Sequence, residues 1–414
     1  MAQLAIKGGK ALCDGIWPDW PVYGEEDKKA LVEVLESRNW GGYPAPNTRA
    51  REFSAAFAAA HDARYGIAAA NGSVTLEVAL RAAGIKAGDE VIVTPYSWIA
   101  TAGAPVLVNA VPVFADVDPD TYCLSPKAVE AAITKRTRAV ICVHLGCALA
   151  DLDALVDLCR RKNLILIEDC AHMHGGKWRG KGVGSHGHLG SFSFQSSKIM
   201  TAGEGGIVLT SDDLLAQRCQ SYVNCGRKQP GYDQFPGLVF SGNYRMTEFQ
   251  AALLSVRLKA LEPERRRREE NAMYLSELLS QIPGIRPLKR DPRITHYALY
   301  QYIFRYDPQA FGGVHRDRFV DALCAEGIPA DGDFYLPIYK SPLFPVTADC
   351  FPAIRDRYGE RLDPEKIHCP VTEKAAYHEA VWLHHRLFMG GRREMEIIAE
   401  AIKKIQKNLD ELRG

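Results

Sequence analysis

The sequence predicts an α/β protein in which a mostly parallel β-sheet is covered by helices on both faces, followed by a smaller α+β domain. The first observation is the alternation of short apolar segments with segments of helical periodicity between residues 65 and 168. The second is a change of pattern near residue 283, where aromatic, strand-like sequence begins. We therefore predict a large domain over residues 1–270, including an N-terminal arm over 1–25, and a small C-terminal domain over 271–414.

The individual elements follow from hydrophobic periodicity. Helices are predicted over residues 25–37 and 48–61, ahead of the sheet. Apolar runs then predict strands over residues 65–70, 90–94, 111–116, 139–145 and 164–168, with helices over 73–83, 99–109, 126–133 and 151–162 between them. Later strands are predicted over residues 191–194, 207–209 and 297–306, and later helices over 212–224, 247–281, 316–326 and 394–412.

Bulk composition excludes several functional classes. A formal net charge of +1 on 414 residues gives no electrostatic basis for binding nucleic acid or an anionic membrane surface. No apolar run approaches the roughly 18 residues of a spanning helix, and no secretory signal pattern opens the sequence. The 11 cysteines lack paired spacings, which is typical of reduced thiols. We predict a cytoplasmic protein that contacts neither membrane nor nucleic acid.

The first candidate functional residue is Lys198, in the segment SFSFQSSKIMTAGEGG over residues 191–206. A lysine between a strand and a glycine-rich turn can be held rigidly, and its amine can form a Schiff base with the aldehyde of pyridoxal phosphate (PLP). A surface lysine in a hairpin explains this segment equally well when it is taken alone.

A phosphate site is predicted after the first strand of the sheet, because doubly wound sheets bind ligands beyond the carboxyl ends of their strands. Gly72 lets a ligand approach the backbone, and the amides of Ser73 and Val74 begin a helix whose dipole favours an anion. The alternative is that Ser73 is an ordinary helix-capping residue.

Other polar or aromatic residues follow the next strands. Asp169 could pair with the pyridine nitrogen of PLP, or it could cap a helix or form a structural ion pair. Trp98 could stack on a cofactor ring, although packing in the core is the usual place of a tryptophan. His144 is by default a structural histidine.

Metal and nucleotide chemistry find little support. The histidine spacings match no zinc signature, and neither a GxGxxG motif after the first strand nor a P-loop is present. We therefore predict no metal site among the clustered histidines, which are His172, His174, His186 and His188.

Four motifs occur together in a fixed order: DEVIVTPYSWIATA (89–102), IEDCAHMHGG (167–176), FSFQSSKIMTAGEGGIV (192–208) and SGNYRMTEFQAA (241–252). Through them the chain resembles the DegT/DnrJ/StrS family of sugar and cyclitol aminotransferases. The resemblance implies the fold-type I architecture of PLP enzymes, with a seven-stranded type of large domain and a small C-terminal domain.

The resemblance also implies catalytic roles. Lys198 carries PLP as a Schiff base and then moves protons, while Asp169 pairs with the pyridinium. His172 stands near the 3-hydroxyl of the cofactor, where the family often has glutamine. Trp98 stacks on the cofactor ring.

A phosphate site shared between subunits is implied in the same way. Gly72, Ser73, Val74 and Ser193 would hold the phosphate of their own subunit. Asn243 would reach the phosphate of the neighbouring subunit, so the active unit would be a homodimer.

The substrates implied by the resemblance are L-glutamine or L-glutamate as donor and a keto-cyclitol as acceptor. The segments VDPDTYCLSP (117–126), FRYDPQAFGG (304–313) and AVWLHHRLFMGG (380–391) look most like the enzymes that aminate scyllo-inosose or 2-deoxy-scyllo-inosose in aminoglycoside biosynthesis. A nucleotide-linked keto-sugar aminotransferase, a 3-amino-5-hydroxybenzoate synthase-like enzyme and a non-catalytic PLP-binding regulator stay open. Candidate pocket residues are Tyr335, His384, His385 and Arg227.

Overall fold

The computed structural model describes residues 3–42, 45–228 and 239–412. The strands in this part of the chain, in sequence order, are β1 (Tyr65–Ala69), β2 (Glu90–Val93), β3 (Val111–Phe114), β4 (Thr137–Val143), β5 (Ile165–Asp169), β6 (Lys177–Trp178), β7 (Lys181–Gly182), β8 (Leu189–Ser193), β9 (Gly206–Thr210), β10 (Ile285–Pro287), β11 (Ile294–His296), β12 (Gln301–Tyr306), β13 (Ala330–Asp331) and β14 (Ala380–His384).

The helices agree closely with the predicted periodicity. In sequence order they are α1 (Glu25–Ser37), α2 (Thr48–Ala60), α3 (Gly72–Ala82), α4 (Ala100–Leu107), α5 (Pro126–Ala132), α6 (Leu152–Lys162), α7 (Asp213–Val223), α8 (Glu248–Ser280), α9 (Arg316–Ala325), α10 (Arg355–Tyr358), α11 (Pro370–Lys374) and α12 (Arg392–Lys407). None of them, within the described ranges, is long and apolar enough to cross a membrane.

A seven-stranded sheet in the order β1–β9–β8–β5–β4–β2–β3 forms the centre of the molecule. Neighbouring strands from β8 to β3 pair in parallel, whereas β9 runs antiparallel to both β8 and β1. The sheet confirms the predicted α/β fold, and every residue of β2, β8 and β9 is buried. Burial on both faces explains why β2 (EVIV) and β9 (GIVLT) contain continuous apolar runs rather than alternating patterns.

The parallel pairing brings the carboxyl ends of separate strands to one edge of the sheet. Val143 at the end of β4 pairs with Asp169 at the end of β5, and Asp169 pairs with Ser191 of β8. The segments that follow β1, β2, β5 and β8 therefore emerge side by side, as the sequence pattern predicts.

A second, antiparallel sheet has the order β10–β12–β14–β13. Strand β14 was not among the predicted elements, because its apolar run is short and continues into RLFM, which has no strand signature. It nevertheless lies in the middle of this sheet, and its Trp382 is fully buried.

Helix α8 spans 33 residues and lies between the elements of the two sheets in sequence. Its start has the capping box that the sequence TEFQ encodes: Gln250 N–H donates to Thr247 Oγ1, and Thr247 N–H donates to Gln250 Oε1. Residue 270 falls inside this helix, so the domain division at that position stays a prediction.

The N-terminal arm packs against C-terminal elements. The amide of Ala5 donates to Glu326 Oε1 at 3.0 Å, and Trp17 Nε1 donates to the Gly327 carbonyl at 2.7 Å. Glu326 is fully buried and also forms an ion pair at 2.8 Å with Lys404 of α12, whose side chain is 12% exposed. This carboxylate therefore joins three parts of the chain.

Replacing Glu326 should destabilise the protein, because the change leaves the Lys404 ammonium without its counter-ion and the Ala5 amide without an acceptor. For Glu326→Ala we expect a loss of about 3–5 kcal/mol in the free energy of unfolding, measured by urea denaturation. The control is Arg393→Ala, which breaks ion pairs on the exposed face of α12 and should change the midpoint little. Equal midpoints for the two variants would contradict this assignment.

Candidate active site

A cavity of about 840 Å³ lies at the carboxyl edge of the large sheet, between that sheet and residues of the C-terminal region. The predicted site residues that line it are Gly72, Ser73, Val74, Trp98, Asp169, His172, Ser193 and Lys198. Asn243 is exposed and is not among the lining residues of its own chain. Of the candidate pocket residues, Tyr335 and His384 line the cavity, while His385 and Arg227 do not.

The amine of Lys198 is buried next to an aromatic ring. The residue is 9% exposed, and its Nζ lies 4.2 Å from the centre of the Tyr300 ring. Burial lowers the pKa of this amine from 10.5 to about 8, although the charge of Asp169 acts in the opposite direction. The alternative of a surface lysine in a hairpin is therefore wrong, because a hairpin lysine would be solvated.

The Asp169 carboxylate is buried beside the same amine. Thr101 Oγ1 donates to Asp169 Oδ2 at 2.9 Å, and the Ala171 amide donates to Oδ1 at 3.2 Å. Burial raises the pKa of Asp169, while these two hydrogen bonds and Lys198 lower it. Each oxygen keeps a lone pair that can accept a further donor from the cavity.

The start of helix α3 meets strand β8 at very close range. A Cβ atom added to Gly72 would lie 2.5 Å from Ser193 Cβ, so only glycine fits here. Asn71 Oδ1 caps the helix by accepting the Val74 amide at 3.0 Å. Val74 N–H is thus already engaged, whereas the amides of Gly72 and Ser73 have no acceptor within the described ranges and remain able to bind an anion.

The tautomer of His172 is fixed by a backbone amide. Gly146 N–H donates to His172 Nδ1 at 3.2 Å, and burial lowers the pKa of His172 so that the ring is neutral. Its proton is therefore on Nε2, which lies 3.2 Å from the Tyr335 hydroxyl. Because that hydroxyl accepts from His172 and burial raises its pKa, Tyr335 is left as a hydrogen-bond donor towards the cavity.

Trp98 is 50% exposed on the cavity wall. Packing in the core, the alternative for this residue, is therefore wrong. A flat, half-exposed indole ring is suited to stacking against a planar ligand.

His144 serves a structural role. His144 accepts the Ala150 amide at Nδ1, so its Nε2 carries the proton and donates to the buried Glu168 at 3.2 Å. His144, Glu168 and Cys170 have ligand atoms within 4.8 Å of one another. However, the His144 nitrogens and Glu168 oxygens are engaged in hydrogen bonds, and burial keeps the Cys170 pKa well above 9.0. This set is not suited to hold a cation.

Several cavity residues were not predicted from the sequence. Thr101, in the first turn of helix α4, donates to Asp169, and its place near the end of the PYSWIATA segment (95–102) was the only local signal. Tyr300 stacks on His172 with ring centres 4.2 Å apart and also borders the Lys198 amine. It lies 102 positions after Lys198 in the chain (300 − 198). No local pattern could have connected Tyr300 with Lys198.

Fold and cavity together place a buried lysine and a buried carboxylate at the carboxyl edge of an α/β sheet. The chain belongs to the DegT/DnrJ/EryC1/StrS aminotransferase family, whose sequence profile matches residues 21–402. It is therefore an aminotransferase, as its four ordered motifs suggested.

Named relatives cover the whole chain. The chain is 48% identical to a protein of Streptoalloteichus tenebrarius provisionally named L-glutamine:3-amino-2,3-dideoxy-scyllo-inosose aminotransferase, with 100% of both sequences aligned. It is 38% identical to L-glutamine:scyllo-inosose aminotransferase of Streptomyces griseus over 99% of each sequence. Among solved structures, 3-amino-5-hydroxybenzoic acid synthase matches with a TM-score of 0.83 and 34% identity, covering 95% of this chain and 99% of that one.

The pH dependence of Lys198 reactivity follows from its lowered pKa. Since only the neutral amine reacts with an acylating reagent, labelling of Lys198 should rise with pH around a midpoint near 8, about 2 pH units below that of a solvated lysine. Asp169→Asn removes a charge that favours the ammonium, so it should lower this midpoint further. Mass spectrometry of the Lys198 peptide measures both, with exposed Lys403 as internal reference; a midpoint above 10 would refute the prediction.

Proposed function

We propose that the chain is a PLP-dependent aminotransferase that moves the amino group of L-glutamine, or of L-glutamate, to a keto-cyclitol in aminoglycoside-type biosynthesis. The observation that carries this proposal is the buried Lys198 amine, which is partly neutral near pH 8 and shares one cavity with Asp169 and a helix N-terminus. A non-catalytic regulator is not favoured, because the chain belongs to an aminotransferase family and retains the lysine.

The residues around the cavity fit PLP. An anionic phosphate suits the free amides of Gly72 and Ser73 at the N-terminus of α3, where the Gly72–Ser193 contact leaves no room for a Cβ atom. Asp169 can accept a hydrogen bond from a pyridinium N–H, and Trp98 offers an exposed ring face for stacking. When bound, PLP supplies an aldehyde that joins amines and a ring that accepts electrons.

The protein residues then have separate tasks. Lys198 Nζ accepts a proton and returns it, which requires the neutral amine that burial makes accessible. Asp169 would stabilise a positive charge on the ring nitrogen of bound PLP, and Thr101 holds that carboxylate in place. Tyr335 can donate a hydrogen bond into the cavity to an oxygen atom of an oxygen-rich acceptor substrate.

The acceptor is proposed from the relatives. The 48% identical protein is named for 3-amino-2,3-dideoxy-scyllo-inosose, and the 38% identical one for scyllo-inosose. We therefore place an amino-substituted keto-cyclitol first, followed by scyllo-inosose and 2-deoxy-scyllo-inosose. The lower identity to 3-amino-5-hydroxybenzoic acid synthase, 34%, disfavours a dehydrating, aromatising reaction. A structure solved with its TDP-sugar product matches at 27% identity, which places a nucleotide-linked sugar behind the keto-cyclitols.

We further propose a cytoplasmic homodimer with shared active sites. Asn243 is exposed and outside the cavity of its own chain, which leaves it available to a neighbouring subunit. If each site needs Asn243 of the partner subunit, a dimer that combines a Lys198 variant with an Asn243 variant should differ in activity from the homodimer of either variant.

The test begins with purified protein and added PLP. Borohydride reduction followed by peptide mass spectrometry should place the pyridoxyl group on Lys198. L-glutamine should then bleach the visible band of the holoenzyme, and a keto-cyclitol should restore it. Lys198→Ala should show none of these changes. Failure of PLP to attach to Lys198 would refute the proposal. If only a nucleotide sugar restored the visible band, the proposed keto-cyclitol would be wrong and the acceptor would be a nucleotide-linked keto-sugar.

Gly72 should be essential for phosphate binding. In Gly72→Ala the new methyl group would clash with Ser193, so we expect PLP affinity to fall by about tenfold or more. The matched control is Gly103→Ala in nearby helix α4, where a Cβ atom meets nothing within 4 Å. Equilibrium titration with PLP measures both affinities, and equal losses in the two variants would contradict the role of Gly72 in phosphate binding.

Mixed dimers test the sharing of sites. Lys198→Ala and Asn243→Ala homodimers should each have little activity, because every site lacks one residue. A heterodimer of the two variants should recover one intact site, and hence up to about half of the wild-type activity per dimer. Activity that does not rise on mixing and reassociation would argue that Asn243 acts within its own chain or not at all.

A further inference from the structure

The loop that carries Lys198 is held from outside the large sheet. Trp20, in the N-terminal arm, donates from Nε1 to the Ser196 carbonyl at 3.1 Å. His385, which follows β14, donates from Nε2 to the Ser197 carbonyl at 3.0 Å. The two carbonyl groups immediately before the lysine are therefore fixed by residues from opposite ends of the chain.

These two donors also pack against each other. The Trp20 ring meets the His385 ring edge to face, with centres 4.5 Å apart and an interplanar angle of 88°. The guanidinium of Arg268, which is 1% exposed, lies 5.2 Å from the Trp20 ring centre. Because His385 and Arg268 are buried, their contacts with the Trp20 ring give it a defined position from which to donate its hydrogen bond.

The same loop is tied to the ring that borders the Lys198 amine. Ser197 Oγ donates to Gln195 Oε1 at 2.7 Å and lies 2.8 Å from the Tyr300 hydroxyl, which must then be the donor to Ser197. Tyr300 is also the ring below Lys198 Nζ. A shift of Ser196 or Ser197 would therefore move the amine relative to Tyr300 and Asp169.

We propose that Trp20 is a positioning residue for Lys198, acting through the Ser196 carbonyl and the His385 ring. The proposal rests on the proposed function, since the position of the amine matters only if Lys198 carries the cofactor. Trp20 lies one residue before the segment that matches the family profile, which begins at residue 21. The contact is thus made by the arm and not by the part of the chain that defines the family.

A matched pair of variants tests this role. Trp20→Phe keeps an aromatic ring but removes the N–H donor to the lysine loop. Trp17→Phe makes the same change in the same arm, where the lost bond, of 2.7 Å, goes to the Gly327 carbonyl instead. Any general loosening of the arm should appear in both variants, and only the loss of lysine positioning should be specific to Trp20→Phe.

Three measurements on full-length protein separate the variants. Hydrogen–deuterium exchange of peptides covering residues 194–203 should be faster in Trp20→Phe only. The pH midpoint for attachment of PLP to Lys198 should move upward in Trp20→Phe. The reason is that an amine displaced from its buried position beside Asp169, His172 and Tyr300 is better hydrated, which favours the ammonium form. The rate of the glutamine half-reaction should fall about threefold to tenfold, as expected for the loss of one hydrogen bond.

The outcomes distinguish this inference from the proposed function. If wild-type protein attaches PLP at Lys198 and reacts with glutamine, but both variants give the same exchange, midpoint and rate, then Trp20 has no positioning role. If wild-type protein does not attach PLP at Lys198, the proposed function fails and this inference fails with it. A change confined to Trp20→Phe, with equal melting temperatures for the two variants, supports it.

Discussion

The desolvation of one amine constrains most of the structure around it. Lys198 sits above Tyr300 with little access to water, and burial reduces its pKa to about 8 against the pull of Asp169. An ammonium group placed there without compensation would be costly, so the surrounding elements must hold the lysine in place while leaving its proton easy to lose. The buried carboxylate of Asp169 supplies the compensating charge, while burial keeps the proton of Lys198 easy to lose.

Holding that amine takes residues from very distant parts of the chain. Strand β5 of the large sheet supplies Asp169 and the loop after β8 supplies Lys198, because parallel strands end at one edge. The C-terminal region supplies Tyr300, Tyr335 and His385, and the N-terminal arm supplies Trp20. Sheet topology thus sets the approximate site, and long-range contacts set its final geometry.

This division explains how much could be predicted from the sequence. Strand ends, helix starts and the glycine at position 72 are local signals, so most elements and ten of the residues that line the cavity were predictable. Strand β14, Thr101 and Tyr300 were not, since their roles depend on contacts with residues far away in the sequence. The Val74 amide shows a third case: the residue was placed correctly at the cavity, but Asn71 takes up its N–H, a competition that only side-chain geometry reveals.

The two walls of the cavity have different origins in the chain, and this separation has an evolutionary consequence. Residues 71–204 form the wall with the lysine, the carboxylate and the helix N-terminus, whereas residues 300–384 form the opposite wall. Substitutions in the second wall can alter which molecule fits while the first wall keeps its chemistry. A duplicated gene with this layout can therefore diverge towards a new substrate without first losing the reaction, which is how one scaffold can supply successive steps of a branching biosynthesis.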